Sequence, residues 1–157
     1  MLENSKHIII VGAGIAGLTA ALSLRHYGIR TSIYERSPEI ITAGAGIQLS
    51  PNANRVLSRI GVLKEISSVS IRCHGVKVFD YKSNRQLALF DYMKFKGNDF
   101  FYFCHRADLV GVLYAACQKL EIPVYFNKKL EKVINKKAVF SDGETLSSEL
   151  IIGADGL

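Results

Sequence analysis

Three glycines and one glutamate carry the clearest chemistry in this sequence. Gly12, Gly14 and Gly17 stand in the run Gly12-Ala13-Gly14-Ile15-Ala16-Gly17, directly after the β-branched residues 8–11. Following a strand, the first glycine of such a run permits a tight turn. The second lets backbone approach a pyrophosphate with no Cβ in the way, and the third allows close helix-to-strand packing. The amides of Ile15, Ala16 and Gly17 then open a helix whose end presents partial positive charge to phosphates. Glu35 closes the next β-rich run, where a carboxylate can accept hydrogen bonds from both hydroxyls of an adenosine ribose. Glycine-rich strand ends also serve plain packing, but strand, glycines, helix and acid in this order predict a dinucleotide site. An acid at the ribose repels a 2′-phosphate, which disfavours NADP there. Arg36 is a conceivable anchor for that phosphate, yet beside Glu35 it is read as stacking on adenine or lying in solvent.

The elements that must hold these residues follow from the apolar spacing. Residues 7–11 read as a strand, residues 15–27 as a helix ending at Gly28, and residues 31–34 as a second strand. Together they make a βαβ unit with a right-handed crossover. Ser50-Pro51 marks a further helix start, with Ser50 as N-cap and Pro51 in the first turn, and the helix is expected to end near Gly61. Residues 76–81 and 86–91 flank Ser83-Asn84, and residues 100–104 form a third aromatic-rich run, so the middle reads as antiparallel sheet. Residues 107–120 read as a helix, 124–126 as a strand, 130–146 as a meander turning at Asp142-Gly143, and 150–152 as a last strand. The fold class is α/β: a Rossmann-type parallel sheet in the order 124–126, 31–35, 7–11, 149–152, with a partial antiparallel sheet from residues 74–104.

Composition bounds the alternatives. At 157 residues, 48% hydrophobic and 22% charged, the chain can bury one sizeable core and reads as folded. Three cysteines cannot pair completely, so a reducing cytoplasm is expected rather than a disulfide-stapled secreted chain. The apolar stretch 8–24 is interrupted by motif glycines and closed by Arg25 and His26, which excludes it as a signal peptide or membrane span. The net charge of +6 gathers partly in Lys128, Lys129, Lys132, Lys136 and Lys137, read as the solvated face of a hairpin. No recognition motif accompanies them, so no nucleic-acid partner is expected. Cys73-His74 and Cys104-His105 invite a zinc reading, but neighbours on a strand point to opposite faces. No metal is expected, and no paired-carboxylate or Ser-His-Asp pattern names a catalytic residue.

Four motifs in order reach further. The opening glycines with Glu35-Arg36 come first. They are followed by Ala45-Gly46-Ile47-Gln48-Leu49-Ser50-Pro51-Asn52-Ala53, by His105-Arg106-Ala107-Asp108-Leu109, and by Gly153-Ala154-Asp155-Gly156. Together they resemble the salicylate-hydroxylase-like and p-hydroxybenzoate-hydroxylase-like class A flavoprotein monooxygenases, N-terminal part only, over essentially the whole chain.

The resemblance implies that Gly12, Gly14, Ile15, Ala16, Gly17 and Glu35, with Arg36 beside it, hold the ADP part of FAD. It implies that Gly46 and Gln48 lie beside the flavin ring and that Arg106 reaches the ribityl-pyrophosphate region. Val133 would bring backbone near the adenine, its side chain being core, and Asp155 is linked with both FAD and the reduced nicotinamide. The bland readings are a capping Arg106 and an ordinary loop Gln48. The implied cofactors are FAD with NADH or NADPH as reductant, and the implied substrate is a small aromatic acid. Residues 1–157 would be the front of the FAD-binding domain, with 74–104 an incomplete substrate-domain insertion. The family pattern continues beyond Leu157, so a piece of a longer enzyme or a truncated gene product is expected, inactive in hydroxylation by itself. Exposed strand edges, residues 100–104 among them, are expected to favour self-association. Two other functions use the same glycines and Glu35: a non-catalytic FAD- or ADP-binding module, and part of an NAD-dependent dehydrogenase. The latter leaves residues 46–52 and Arg106 unexplained.

Overall fold

The structure is a computed structural model and describes residues 7–40, 44–94 and 100–156. In chain order the elements are β1 (His7–Val11), α1 (Ile15–His26), β2 (Arg30–Tyr34), β3 (Gly46–Leu49), α2 (Pro51–Arg59), α3 (Leu63–Ser68), β4 (Ile71–Cys73), β5 (Gly75–Phe79), β6 (Gln86–Asp91), β7 (Phe101–His105), α4 (Arg106–Lys119), β8 (Val124–Tyr125), β9 (Leu130–Ile134), β10 (Lys137–Phe140), β11 (Thr145–Ser147) and β12 (Leu150–Gly153). They fall into two compact units, one of residues 1–43 and 107–157, the other Gly44–Arg106.

The first unit is built on a parallel sheet in the order β12-β1-β2-β8, which is the strand order the sequence predicts. Ile8 to Val11 are all buried, as expected of a parallel strand covered on both faces. Each such isoleucine contributes about 1.5–3 kcal/mol through burial. Helix α1 buries Gly17, Leu18, Ala21 and Leu22, and α4 buries Leu109, Val110, Leu113 and Cys117. Strands β9, β10 and β11 form an antiparallel meander. Its Ala138 and Phe140 pack with Ile9, Val11 and Tyr34 in one buried cluster, and Tyr34 stacks on Tyr125 with ring centres 5.0 Å apart.

The meander turns twice. Gly143, at φ +87, donates its amide to the Phe140 carbonyl at 3.0 Å, where the sequence places a turn. The β9–β10 turn uses Asn135 and Lys136, both at positive φ, the pattern of a type I′ hairpin. The lysine run is not uniformly solvated. Lys128 bonds to Asp142 and, at 2.6 Å, to Glu144, while Lys129, Lys132, Lys136 and Lys137 are exposed. These two carboxylates hold the Lys128 ammonium above its ordinary pKa.

In the second unit the antiparallel pairing differs from expectation. Residues 100–104 do not extend a sheet with the hairpin. Strand β7 is instead the middle strand of β3-β7-β4, and among the described residues β5 and β6 pair with each other and with no other strand. Both edges of β7 are therefore occupied, and the free edges among the described residues of this unit include those of β5 and β6. Ser50 is the N-cap of α2, with Pro51 at the first turn, but its hydroxyl donates to the Asn52 side chain and makes no capping bond. The helix ends at Arg59, and α3 and β4 follow as elements that no sequence pattern predicts. Within the stretch 74–104, residues 95–99 lie outside the described residues.

Candidate functional site

Two of the three glycines in the loop after β1 are required by packing, each for a different reason. Gly12 sits at φ +106, and a Cβ there would come 2.4 Å from the Ala154 carbonyl oxygen and 2.9 Å from the Asp155 Cα. The same crossing is tied by Ala154, whose amide donates to the Val11 carbonyl at 2.7 Å, and by Gly12, whose amide donates to Tyr34 at 2.8 Å. A Cβ at Gly17 would lie 1.9 Å from the Gly12 carbonyl oxygen, which is the close helix-to-strand packing the spacing predicts. Gly14 is unlike both, because a Cβ there meets nothing within 4 Å. It is the N-cap of α1, in extended backbone, with no side-chain cap and no acidic residue in the first turn. The first intrahelical bond runs from Leu18 to the Gly14 carbonyl at 3.0 Å, so the amides of Ile15, Ala16 and Gly17 have no acceptor inside the helix.

Glu35 is bound to this loop. One carboxylate oxygen accepts the Ala13 amide at 2.8 Å, and the other accepts the Ser37 amide at 2.8 Å. Its own amide donates to Tyr125 at 2.8 Å. Partial burial pushes the carboxyl pKa up, but the Ala13 and Ser37 bonds and the neighbouring Arg36 charge outweigh it and leave the pKa below its ordinary value. The sequence reading expects a ribose acceptor here. The two amides that aim the carboxylate are backbone groups, which no residue type announces.

The other residues of this unit divide. Asp155 adjoins Gly12 through the Ala154 crossing. Arg36 is exposed. Val133 lies on β9, opposite Ala138, and its side chain is 49% exposed. The expectation that this side chain is core is therefore wrong: Val133 shares the face of the buried Ala138, but β9 is an edge strand and leaves it half open.

In the second unit, Gly46 pairs with His105 and Gln48 with Phe103 along β3 and β7. The Arg106 amide donates to the Ala45 carbonyl at 3.2 Å, which places the first residue of α4 beside residues 44–46. Gln48 and Arg106 are both exposed. Gly44, which the sequence reading does not single out, lies against the Arg106 stem. Among the described residues no group of three or more His, Cys, Asp or Glu could hold a metal. Cys73 and Cys104 are buried while His74 and His105 are exposed; for Cys104 and His105 this is the alternation that β7 imposes, and His74 lies between β4 and β5. No helix of the described residues is long and apolar enough to cross a membrane.

Comparison with known proteins adds names to this geometry. Residues 5–157 match the family model for an FAD binding domain. The chain is 32% identical over 162 residues to 3-amino-4-hydroxybenzoate 2-monooxygenase of Streptomyces cremeus, covering 100% of this chain and 41% of that protein. It is 33% identical over 161 residues to 3-hydroxybenzoate 6-hydroxylase 1 of Aquipseudomonas alcaligenes, covering 97% and 41%. Among solved structures it is similar to the tetrameric form of 2-methyl-3-hydroxypyridine-5-carboxylic acid oxygenase, with TM-score 0.88, 26% identity, and coverage of 98% of this chain and 40% of that one. CtdE in complex with FAD and a substrate matches with TM-score 0.81 and 25% identity, covering 96% and 38%. The chain thus spans about two-fifths of the length of these relatives.

Proposed function

This chain belongs to the FAD binding domain family, and on that premise we propose that it is the FAD-gripping front of an aromatic-ring monooxygenase. The observation that carries the proposal is the set of three α1 amides left without intrahelical acceptors or a side-chain cap, in a loop whose Ala13 amide also holds the Glu35 carboxylate at 2.8 Å. N–H donors without partners at a helix end, beside a glycine that puts no Cβ before them, fit a pyrophosphate. Glu35 keeps acceptor capacity beyond its two amide bonds and takes the adenosine ribose. In the same unit, the backbone near Val133 borders the adenine, with Arg36 over it or in solvent, and Asp155 meets FAD and the nicotinamide. In the second unit, Gly46 and Gln48 take the flavin ring, and Arg106 takes the ribityl-pyrophosphate region.

When bound, FAD supplies the redox centre that accepts electrons from NADH or NADPH and activates dioxygen. The work of these residues is to grip and orient it. Residues 74–104 belong in this reading to the part of the protein that meets a small aromatic acid. Relatives named for amino- and hydroxybenzoates support that substrate class. The free, buried cysteines suit a reducing cytoplasm.

Isothermal titration with FAD, FMN and ADP tests the grip: FAD and ADP should bind, and FMN should bind far more weakly. FMN binding as tightly as FAD overturns the assignment. A yellow preparation that bleaches with NADH or NADPH supports the oxidoreductase reading, whereas yellow without bleaching supports a module that binds without chemistry.

A further inference from the structure

We propose that Gly44 is the positioning residue for Arg106: its bare Cα leaves the space in which the arginine stem lies and so sets where the guanidinium can reach. The proposal rests on the reading of Arg106 as a group that holds FAD.

The demand on Gly44 is spatial. A Cβ at this position would come 2.9 Å from both Arg106 Cβ and Cδ, and 3.3 Å from Cγ. Three successive stem carbons therefore pass over one glycine. The far carbon could swing aside, but Arg106 Cβ is fixed to backbone that cannot easily retreat. The Arg106 amide donates to the Ala45 carbonyl at 3.2 Å, and Gly46 is held opposite His105 in the β3–β7 ladder. A methyl group at residue 44 would thus have to part the Ala45–Arg106 bond or force the arginine into another rotamer.

Gly44 is the glycine whose Cβ would meet Arg106, and the glycines nearest to it and to Arg106 along the chain make no such demand. A Cβ on Gly46, two residues along, or on Gly111, within α4, meets nothing within 4 Å. The consequence for binding is one of preorganisation. A long arginine side chain loses much rotamer freedom when it grips an anion, and a stem already confined by its neighbour loses less. Gly44 faces Arg106 Cβ, Cγ and Cδ and the residue is exposed, so the confinement acts on the stem and leaves the charged end open to solvent.

The test is a set of variants of the 157-residue chain: Gly44→Ala, Arg106→Gly, the double variant, and Gly111→Ala as control. FAD affinity is measured by titration, and the Arg106 Nε–Hε signal of the cofactor-free protein by nitrogen-15 NMR. Gly44→Ala and Arg106→Gly should each weaken FAD roughly tenfold or more, the scale of one charge-assisted hydrogen bond. The double variant should be no weaker than Arg106→Gly alone, and Gly111→Ala should match the parent. The Nε–Hε signal should shift in Gly44→Ala without FAD present. If Gly44→Ala does not fold, the double variant should restore folding, because Arg106→Gly removes the obstructing stem. If Arg106→Gly leaves FAD affinity unchanged, the reading of Arg106 is wrong and the proposal falls with it. If Arg106→Gly weakens FAD but Gly44→Ala does not, or Gly44→Ala weakens it further in the double variant, the positioning alone is overturned.

Discussion

Strand β1 and the hairpin of β5 and β6 are both apolar, yet they stand at opposite extremes of satisfaction. Ile8 to Val11 are buried between layers of their own unit, and the glycine loop that follows fits its neighbours so closely that two of its three glycines admit no Cβ. The hairpin sets Val76 opposite Phe90, Val78 opposite Ala88, and Lys77 opposite Leu89. Opposed residues share a face, so both faces carry apolar side chains. Val78, Phe79, Leu87, Leu89 and Phe90 are all exposed. A two-stranded ribbon is marginal by itself. In the first region sequence and packing specify one arrangement. In the second, strand-forming side chains specify a hairpin whose apolar faces the described residues leave uncovered.

Substitutions can break this contrast. Gly17→Ala places a carbon 1.9 Å from a backbone oxygen, and thermal melting should show loss of cooperative folding in the first unit. Gly14→Val, where the added Cβ meets nothing, should melt like the parent and lose FAD binding. Leu89→Glu, which sets a carboxylate opposite Lys77, should leave the melting temperature nearly unchanged and reduce light scattering at high concentration. Equal melting of Gly17→Ala and the parent would remove the distinction among the glycines. Unchanged scattering in Leu89→Glu would mean that the exposed apolar faces of the hairpin do not promote self-association.

A middle-sized effect is expected at Glu35. Glu35→Ala should weaken ADP binding by about 1–3 kcal/mol, as for lost charge-assisted hydrogen bonds, and titration calorimetry reads it directly. Its carboxyl pKa is depressed in the folded chain, so the stability it contributes is complete above its ordinary value of 4.5. That stability is lost as pH falls through the lowered folded value. Asp142, held down by Lys128, titrates in the same direction, so acid unfolding of the parent should be compared with that of Glu35→Gln. The variant should lose less stability below that pH, and identical acid profiles would show that the amide bonds to Glu35 carry no weight.

Much of this was legible because it was local. The β-branched run, the glycine spacing and Glu35 at the end of β2 are short-range patterns, and the parallel pairing of β1 with β2 follows from the βαβ unit they make. The β3-β7-β4 sheet was not legible, because its short strands come from residues 46–49, 71–73 and 101–105 and nothing in 76–91 signals that, among the described residues, the hairpin pairs with no other strand. Helix α3, six residues long, is too short to show a period. Lys136 hid a turn, being a residue type that rarely takes positive φ. Spacing also could not tell Gly44, pressed against Arg106, from Gly46, which faces open space.

The smallest effect is expected at that turn. Lys136→Gly would give the Asn-Gly pair that type I′ hairpins favour, exchanging relief at φ +61 for extra freedom in the unfolded chain. Chemical denaturation should show a gain of about 0.5 kcal/mol or less. A clear loss would mean that the lysine side chain does more than occupy solvent.

The three thiols give the two units separate clocks. Cys117 is fully buried in the first unit, its Sγ 3.9 Å from the Leu18 carbonyl oxygen, and burial pushes its pKa up to about 12. Only the thiolate reacts, so a thiol reagent meets Cys117 only after α1 and α4 separate. Cys73 and Cys104 are buried in the second unit and wait only on the opening of that one. The order in which a single reagent modifies the unaltered chain therefore records which half breathes first, and how often.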